Sequence, residues 1–199
     1  PPASDIARQI KRSTGLKSLV LDFTSMNNRS IQSIGRALLN SGNLDLEHIS
    51  FKACGLSALE VGAVMRIVEE QPKVMHINLS DNAIGPSALK RLARGLSKVS
   101  NASGSFRLDL SRNMLVRGAD YVGNVSGVVD LISALKSMPG RKHVTLAGCG
   151  LEGEIKGVVL SKLQEFLQEG TAELDVRENG ILSYEIDPLG KAKEFVVFE

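Results

Sequence analysis

The chain has 199 residues, 43% hydrophobic and 23% charged, with a formal net charge of +2. So small an excess of positive charge gives no footprint for nucleic acid or a membrane surface, and no apolar run approaches the roughly 18 residues of a membrane span. The length can bury a core without staples, and the two cysteines, Cys54 and Cys149, are too few for a secreted disulfide framework, so a cytoplasmic location is expected.

From the N-terminus, Ile6 and Ile10 lie on one helical face. They stand ten and six residues before Leu16, where the helix of a preceding unit would put them. Residues 1–15 are therefore expected to form an incomplete repeat or a cap helix, and the chain to be a fragment of a longer protein.

Over residues 16–182 the pattern L-x-x-L-x-L-x-x-N/C-x-L fits six times. The first three matches are Leu16-Leu19-Leu21-Thr24-Met26, Leu46-Ile49-Phe51-Cys54-Leu56 and Val74-Ile77-Leu79-Asn82-Ile84. The next three are Ser105-Leu108-Leu110-Asn113-Leu115, Arg141-Val144-Leu146-Cys149-Leu151 and Thr171-Leu174-Val176-Asn179-Ile181. Their starts are spaced by 30, 28, 31, 36 and 30 residues. A second register runs through the same units: apolar residues follow the last template position at +5, +8 and +12, one face of a helix. Examples are Ile31, Ile34 and Leu38; Val61, Val64 and Val68; and Leu89, Leu92 and Leu96. Repeat four keeps the rule at Val128, Leu131 and Leu135 once eight residues are inserted after Leu115. Ser57 and Glu60 read as a capping box, and Gly85-Pro86 puts Pro at a first helical position.

Each unit is thus a short strand, a turn and a helix that cannot bury its own apolar face, so the units must stack. The strands alternate inward apolar with outward polar residues, which predicts a sheet covered on one face only, not a doubly wound sheet or barrel. The Asn/Cys/Thr position falls where the chain leaves the strand and can satisfy backbone groups buried by the turn. That position accounts for both cysteines, and their separation by several strands forbids a bridge. In repeats four to six, Ser105, Arg141 and Thr171 stand where the opening Leu belongs, an expected weakness in packing along one edge. Residues 183–199 are expected to form a C-terminal cap or the start of a further segment. Asp187-Pro188 is placed to begin a helix, and the apolar run near Val196 is strand-like.

These matches resemble the leucine-rich-repeat superfamily, and the helical period of about 28 residues resembles its ribonuclease-inhibitor-like branch. The resemblance implies a right-handed βα solenoid of α/β class, with a parallel concave sheet and convex helices. It also implies protein binding, as in the GTPase-activating, actin-regulating and immune-receptor proteins that share the branch.

Outward residues of stacked strands form columns. The first column reads Ser18, His48, His76, Arg107, His143 and Glu173, and so gathers all three histidines. The second reads Val20, Ser50, Asn78, Asp109, Thr145 and Asp175; Arg177 ends the third. His48 and His76, on neighbouring strands, could form a metal pair or a pH-sensitive contact. The insertion carries Arg117 and Tyr121, residue types enriched at binding hot spots. Partner contact is therefore assigned to His48, His76, Arg107, Asp109, His143, Asp175, Arg177, Arg117 and Tyr121. No Gly-rich phosphate loop or G-x-S-x-G occurs, and an open sheet offers no catalytic pocket. The expectation is a non-enzymatic protein-interaction module without cofactor, metal or nucleic acid, within a larger scaffold or cytoskeletal regulator. A GTPase-activating protein and an effector or immune-type recognition domain are the alternatives.

Overall fold

The computed structural model describes residues 2–99, 104–116, 124–152, 155–167, 171–181, 183–186, 194 and 196–198. Strands β1 (Ser18–Val20), β2 (His48–Ser50), β3 (His76–Asn78), β4 (Ser105–Asp109), β5 (Arg141–Thr145), β6 (Ala172–Asp175) and β7 (Val196–Val197) form one sheet. They pair in chain order, every pair parallel. Helices α1 (Ala3–Arg12), α2 (Asn28–Asn40), α3 (Ala58–Glu69), α4 (Pro86–Leu96), α5 (Ser126–Ser137), α6 (Ile155–Leu167) and α7 (Ser183–Ile186) alternate with them. The result is an α/β solenoid, with the apolar core held between one sheet and one layer of helices.

The helical register expected from the sequence is the buried face: Ile31, Ile34, Val61, Val64, Leu89 and Leu92 are all 0% exposed. At the start of α3, the Glu60 carboxylate accepts from the Ser57 N–H at 3.2 Å, and Pro86 opens α4. The helices approach closely where side chains are missing. A Cβ on Gly127 of α5 would lie 2.7 Å from the Pro86 carbonyl oxygen of α4, and one on Gly95 of α4 would lie 2.6 Å from the Met65 Cβ of α3.

The turns after the strands repeat one hydrogen-bonding scheme. Asn82 Oδ1 accepts from the backbone N–H groups of Cys54 and Leu56, at 3.0 and 2.9 Å, in the preceding repeat. Its Nδ2 donates to the carbonyls of Phe51, Leu79 and Ser80. Asn179 repeats the arrangement in full against the repeat before it, and Asn113 does so with a single accepted N–H, that of Ile84. Cys54 and Cys149 do half of it, their thiols donating to Leu21 and Leu110 carbonyls across the junction at 3.1 Å each. Burial pushes the Cys149 thiol up to about 12 and raises that of Cys54, so both stay protonated, as a donor must.

The residue before that position has positive φ in all six turns: Phe23 57°, Ala53 52°, Asp81 56°, Arg112 54°, Gly148 61° and Glu178 59°. Only one is glycine, so five L-residues hold a left-handed conformation costing about 1–2 kcal/mol each. The conformation aims five of these N–H groups at the next turn: Phe23 donates to Lys52, Ala53 to Ser80, Asp81 to Ser111, Arg112 to Ala147 and Gly148 to Arg177, at 2.8–3.0 Å.

The expected weakness at Ser105, Arg141 and Thr171 is resolved by a shift of one residue. β4 and β5 start earlier than β1 to β3, and strict alternation then turns Phe106, Lys142 and Ala172 inward, at 4%, 3% and 1% exposure. At the C-terminal end the short α7 precedes Asp187-Pro188, which lies outside the described residues. The strand-like tail pairs as β7, Leu174 opposite Val196 and Asp175 opposite Val197.

Candidate partner-binding face

The observed register aligns the outward residues in the columns read from sequence. Ser18, His48, His76, Arg107, His143 and Glu173 are successive pairing partners, and so are Val20, Ser50, Asn78, Asp109, Thr145 and Asp175. Arg117 and Tyr121 lie outside the described residues.

Within the first column the side chains differ in what they already hold. The rings of His48 and His76 stack with centroids 4.3 Å apart and planes 6° from parallel, and His48 Nδ1 lies 3.4 Å from Ser18 Oγ. Burial, then the neighbouring His48 and Arg107, hold the His76 imidazole below its ordinary range, against a smaller upward pull from Asp109. Imidazole lone pairs lie in the ring plane, so two parallel stacked rings cannot aim nitrogens at one ion. Among the described residues no group of three or more His, Cys, Asp or Glu is placed to hold a metal. His143 Nδ1 is 2.8 Å from Glu173 Oε2, so its ring is already engaged. Arg107 is exposed and has no ion pair among the described residues.

The second and third columns are mostly satisfied from within. Asp109 accepts from the Ser111 N–H, and Asn78 from the N–H and hydroxyl of Ser80. Asp175 receives Arg177 Nε at 3.0 Å and Nη2 at 2.8 Å, a two-pronged contact that holds its carboxyl below the usual range. Of the proposed contact residues, then, Asp109, Asp175, Arg177 and His143 have partners of their own, whereas the Arg107 guanidinium and the His76 ring nitrogens have no hydrogen-bond or ion-pair partner among the described residues.

Two features escaped the sequence reading. The residues of positive φ form a further row with exposed charges: Lys52 Nζ is 3.4 Å from Asp81, and Arg112 lies 3.9 Å from Asp81 and 3.6 Å from Glu178. The last contact passes over Gly148, where a Cβ would stand 3.3 Å from Glu178 Oε2 and 3.4 Å from Arg112 Cγ. The second feature lies at the opposite end of the strands. Buried Asn43 donates to the Ile10 and Ser13 carbonyls, and buried Gln71 to the Asn43 carbonyl at 2.7 Å. The only available signal was a polar residue in the segment between helix and strand. Phe23 and Val20, 75% and 52% exposed, mark the β1 edge of the sheet.

No protein-family model matches the chain. Among solved structures it is similar to the tropomodulin C-terminal domain of Caenorhabditis elegans, at 15% identity, over 85% of this chain and 96% of that one, with a TM-score of 0.55. A likeness at that identity speaks for the fold, a leucine-rich-repeat-type solenoid. Among the described residues no helix is long and apolar enough to cross a membrane.

Proposed function

We propose that the chain is a protein-interaction module that binds a partner protein on its sheet face, aided by the edge loop carrying Arg117 and Tyr121. In this reading it is a non-enzymatic cytoplasmic section of a larger scaffold or cytoskeletal regulator, of the ribonuclease-inhibitor-like branch. The observation that carries the reading is the sheet face itself: a polar, rigid surface whose columns are held in register by hydrogen bonds on both flanks of each inner strand, β2 to β6. Such preorganisation lowers the ordering cost of association. A fold shared with the tropomodulin C-terminal domain supports the cytoskeletal assignment, and the period near 28 residues with a helix in each repeat supports the branch.

The test is affinity capture with the chain as bait, comparing wild type with Arg107→Glu and His76→Ala on the sheet, Tyr121→Ala on the loop and Arg94→Ala on the helix layer. A partner retained by wild type and by Arg94→Ala, but lost with the sheet variants, is the expected result. Capture indifferent to both sheet variants and the loop variant overturns the proposal.

A further inference from the structure

We propose that the His48–His76 stack and Arg107 form one receiving site for an acidic segment of a partner protein, and that this site tightens as pH falls below neutrality. The inference rests on the sheet face being the partner surface and adds the partner's chemistry and its regulation.

Three observations carry it. First, Arg107 is exposed in the middle of the sheet with no ion pair among the described residues, while the other cations of this face, Lys52, Arg112 and Arg177, all have carboxylate partners. An unpaired planar guanidinium on a rigid strand is suited to a carboxylate. Second, His76 stands directly beside it in the register, with its ring stacked on His48 and no hydrogen bond to it among the described residues. Third, the adjoining column places the Asn78 amide nitrogen and the Thr145 hydroxyl alongside. Neither has a partner among the described residues, so both can bond a peptide backbone lying over the column.

The groups facing His76 set the sign of the pH effect. They are His48 from β2, and Arg107 and Asp109 from β4; His143, on the far side of Arg107, is committed to Glu173. In the free protein burial, then His48 and Arg107, oppose protonation of His76, and Asp109 only partly offsets them. A carboxylate brought to Arg107 adds negative charge beside the stack and favours an imidazolium there. By linkage, whatever raises the proton affinity of the stack binds more tightly when protons are abundant. The acidic partner keeps its charge through this range, because Glu side chains titrate near 4.3. The surrounding Asp109, Asp175, Glu173 and Asp81 repel a dense polyanion, so spaced carboxylates on a protein segment fit better than nucleic acid or polyphosphate.

The experiment titrates the full chain calorimetrically at pH 7.5 and 5.5 with a capped 12-residue peptide of alternating Glu and Ser. The Lys-for-Glu peptide and inorganic polyphosphate of equal charge serve as controls, and histidine ring signals are followed by NMR. The expected result is binding of the Glu peptide alone, roughly five- to tenfold tighter at pH 5.5, since one unit of raised pKa yields at most about tenfold. The His48 and His76 rings should shift most. Arg107→Ala should lower affinity about tenfold at both pH values. His76→Phe, which keeps a ring on His48 but cannot take up a proton, should bring the ratio of the affinities at pH 5.5 and 7.5 toward one, whereas Arg107→Ala should leave that ratio as it is. Thermal melts of each variant at both pH values establish that it is folded. Undetectable binding of the Glu peptide, pH-independent binding, or equal binding of either control overturns the inference. If the inference fails while capture by the chain still depends on Arg107, the interaction-module reading survives it. If capture also ignores the sheet variants, both readings fall.

Discussion

The junction between the second and third repeats and that between the first and second use the same turn, fastened differently. Asn82 satisfies two N–H groups of the repeat before it and reaches that repeat's Phe51 carbonyl, as well as two carbonyls of its own turn. Across the earlier junction, among the described residues, the Cys54 side chain offers only a donor, to the Leu21 carbonyl, and the Thr24 side chain bonds only within its own turn, to the Asp22 carbonyl at 3.3 Å. A side chain with both donor and acceptor fastens two repeats, whereas a donor alone mainly fills space. The strength of the stack is therefore graded along the chain by the chemistry of one position.

The largest expected effect comes from removing the two-ended fastener. Asn82→Ala leaves the Cys54 and Leu56 N–H groups buried without partners and should cost about 3–5 kcal/mol, read as a lower urea midpoint at unchanged slope. In the helix layer, Gly127→Ala should cost about 2–3 kcal/mol, because its Cβ would strike the Pro86 carbonyl and force α4 and α5 apart. Gly157→Ala, with nothing within 4 Å, should instead stabilise by about 0.5–1 kcal/mol, since glycine is the poorer helix former there. If both glycine variants move stability in the same direction, close helix approach is not what Gly127 provides. The one-ended fastener comes next: Cys54→Ala should cost about 1 kcal/mol, and a loss equal to that of Asn82→Ala would abolish the comparison.

The smallest effect is in pH. The folded state holds the His76 proton less tightly than the unfolded chain does, so below about pH 6.5 the unfolded state binds more protons and stability falls with acidification. His76→Phe should remove that part of the decline. An unchanged slope between pH 6.5 and 5.5 in chemical denaturation would show that the stack imposes no such penalty.

The solenoid, the buried helical face and the columns were legible in the sequence because each rests on a period that a one-sided core enforces. Leu19 and Ile49 must point inward, so Ser18 and His48 cannot. What was not legible depends on contacts between residues without a fixed spacing. Nothing in the order of residues shows that Asp175 is held by Arg177 while Arg107 has no ion pair among the described residues, since both arginines stand at outward positions. Nor does composition predict left-handed backbone at Phe23, Asp81 or Arg112, because the turn's hydrogen bonds to the next repeat override the intrinsic preference of each residue. The inward turn of Lys142 was not legible for a different reason: β5 is two residues longer than β1 to β3, which continues the alternation upstream and turns a cationic side chain toward the interior.

The strand order gives the molecule an additive character. Every strand bonds only to its neighbours in the chain, so information passes from one end to the other by adjacency alone. Shortening from the β7 end should strip away protection from amide exchange unit by unit, with the middle of the array the last to open. A chain built this way gains or loses a unit without rewiring the others, which makes its length an easily changed trait.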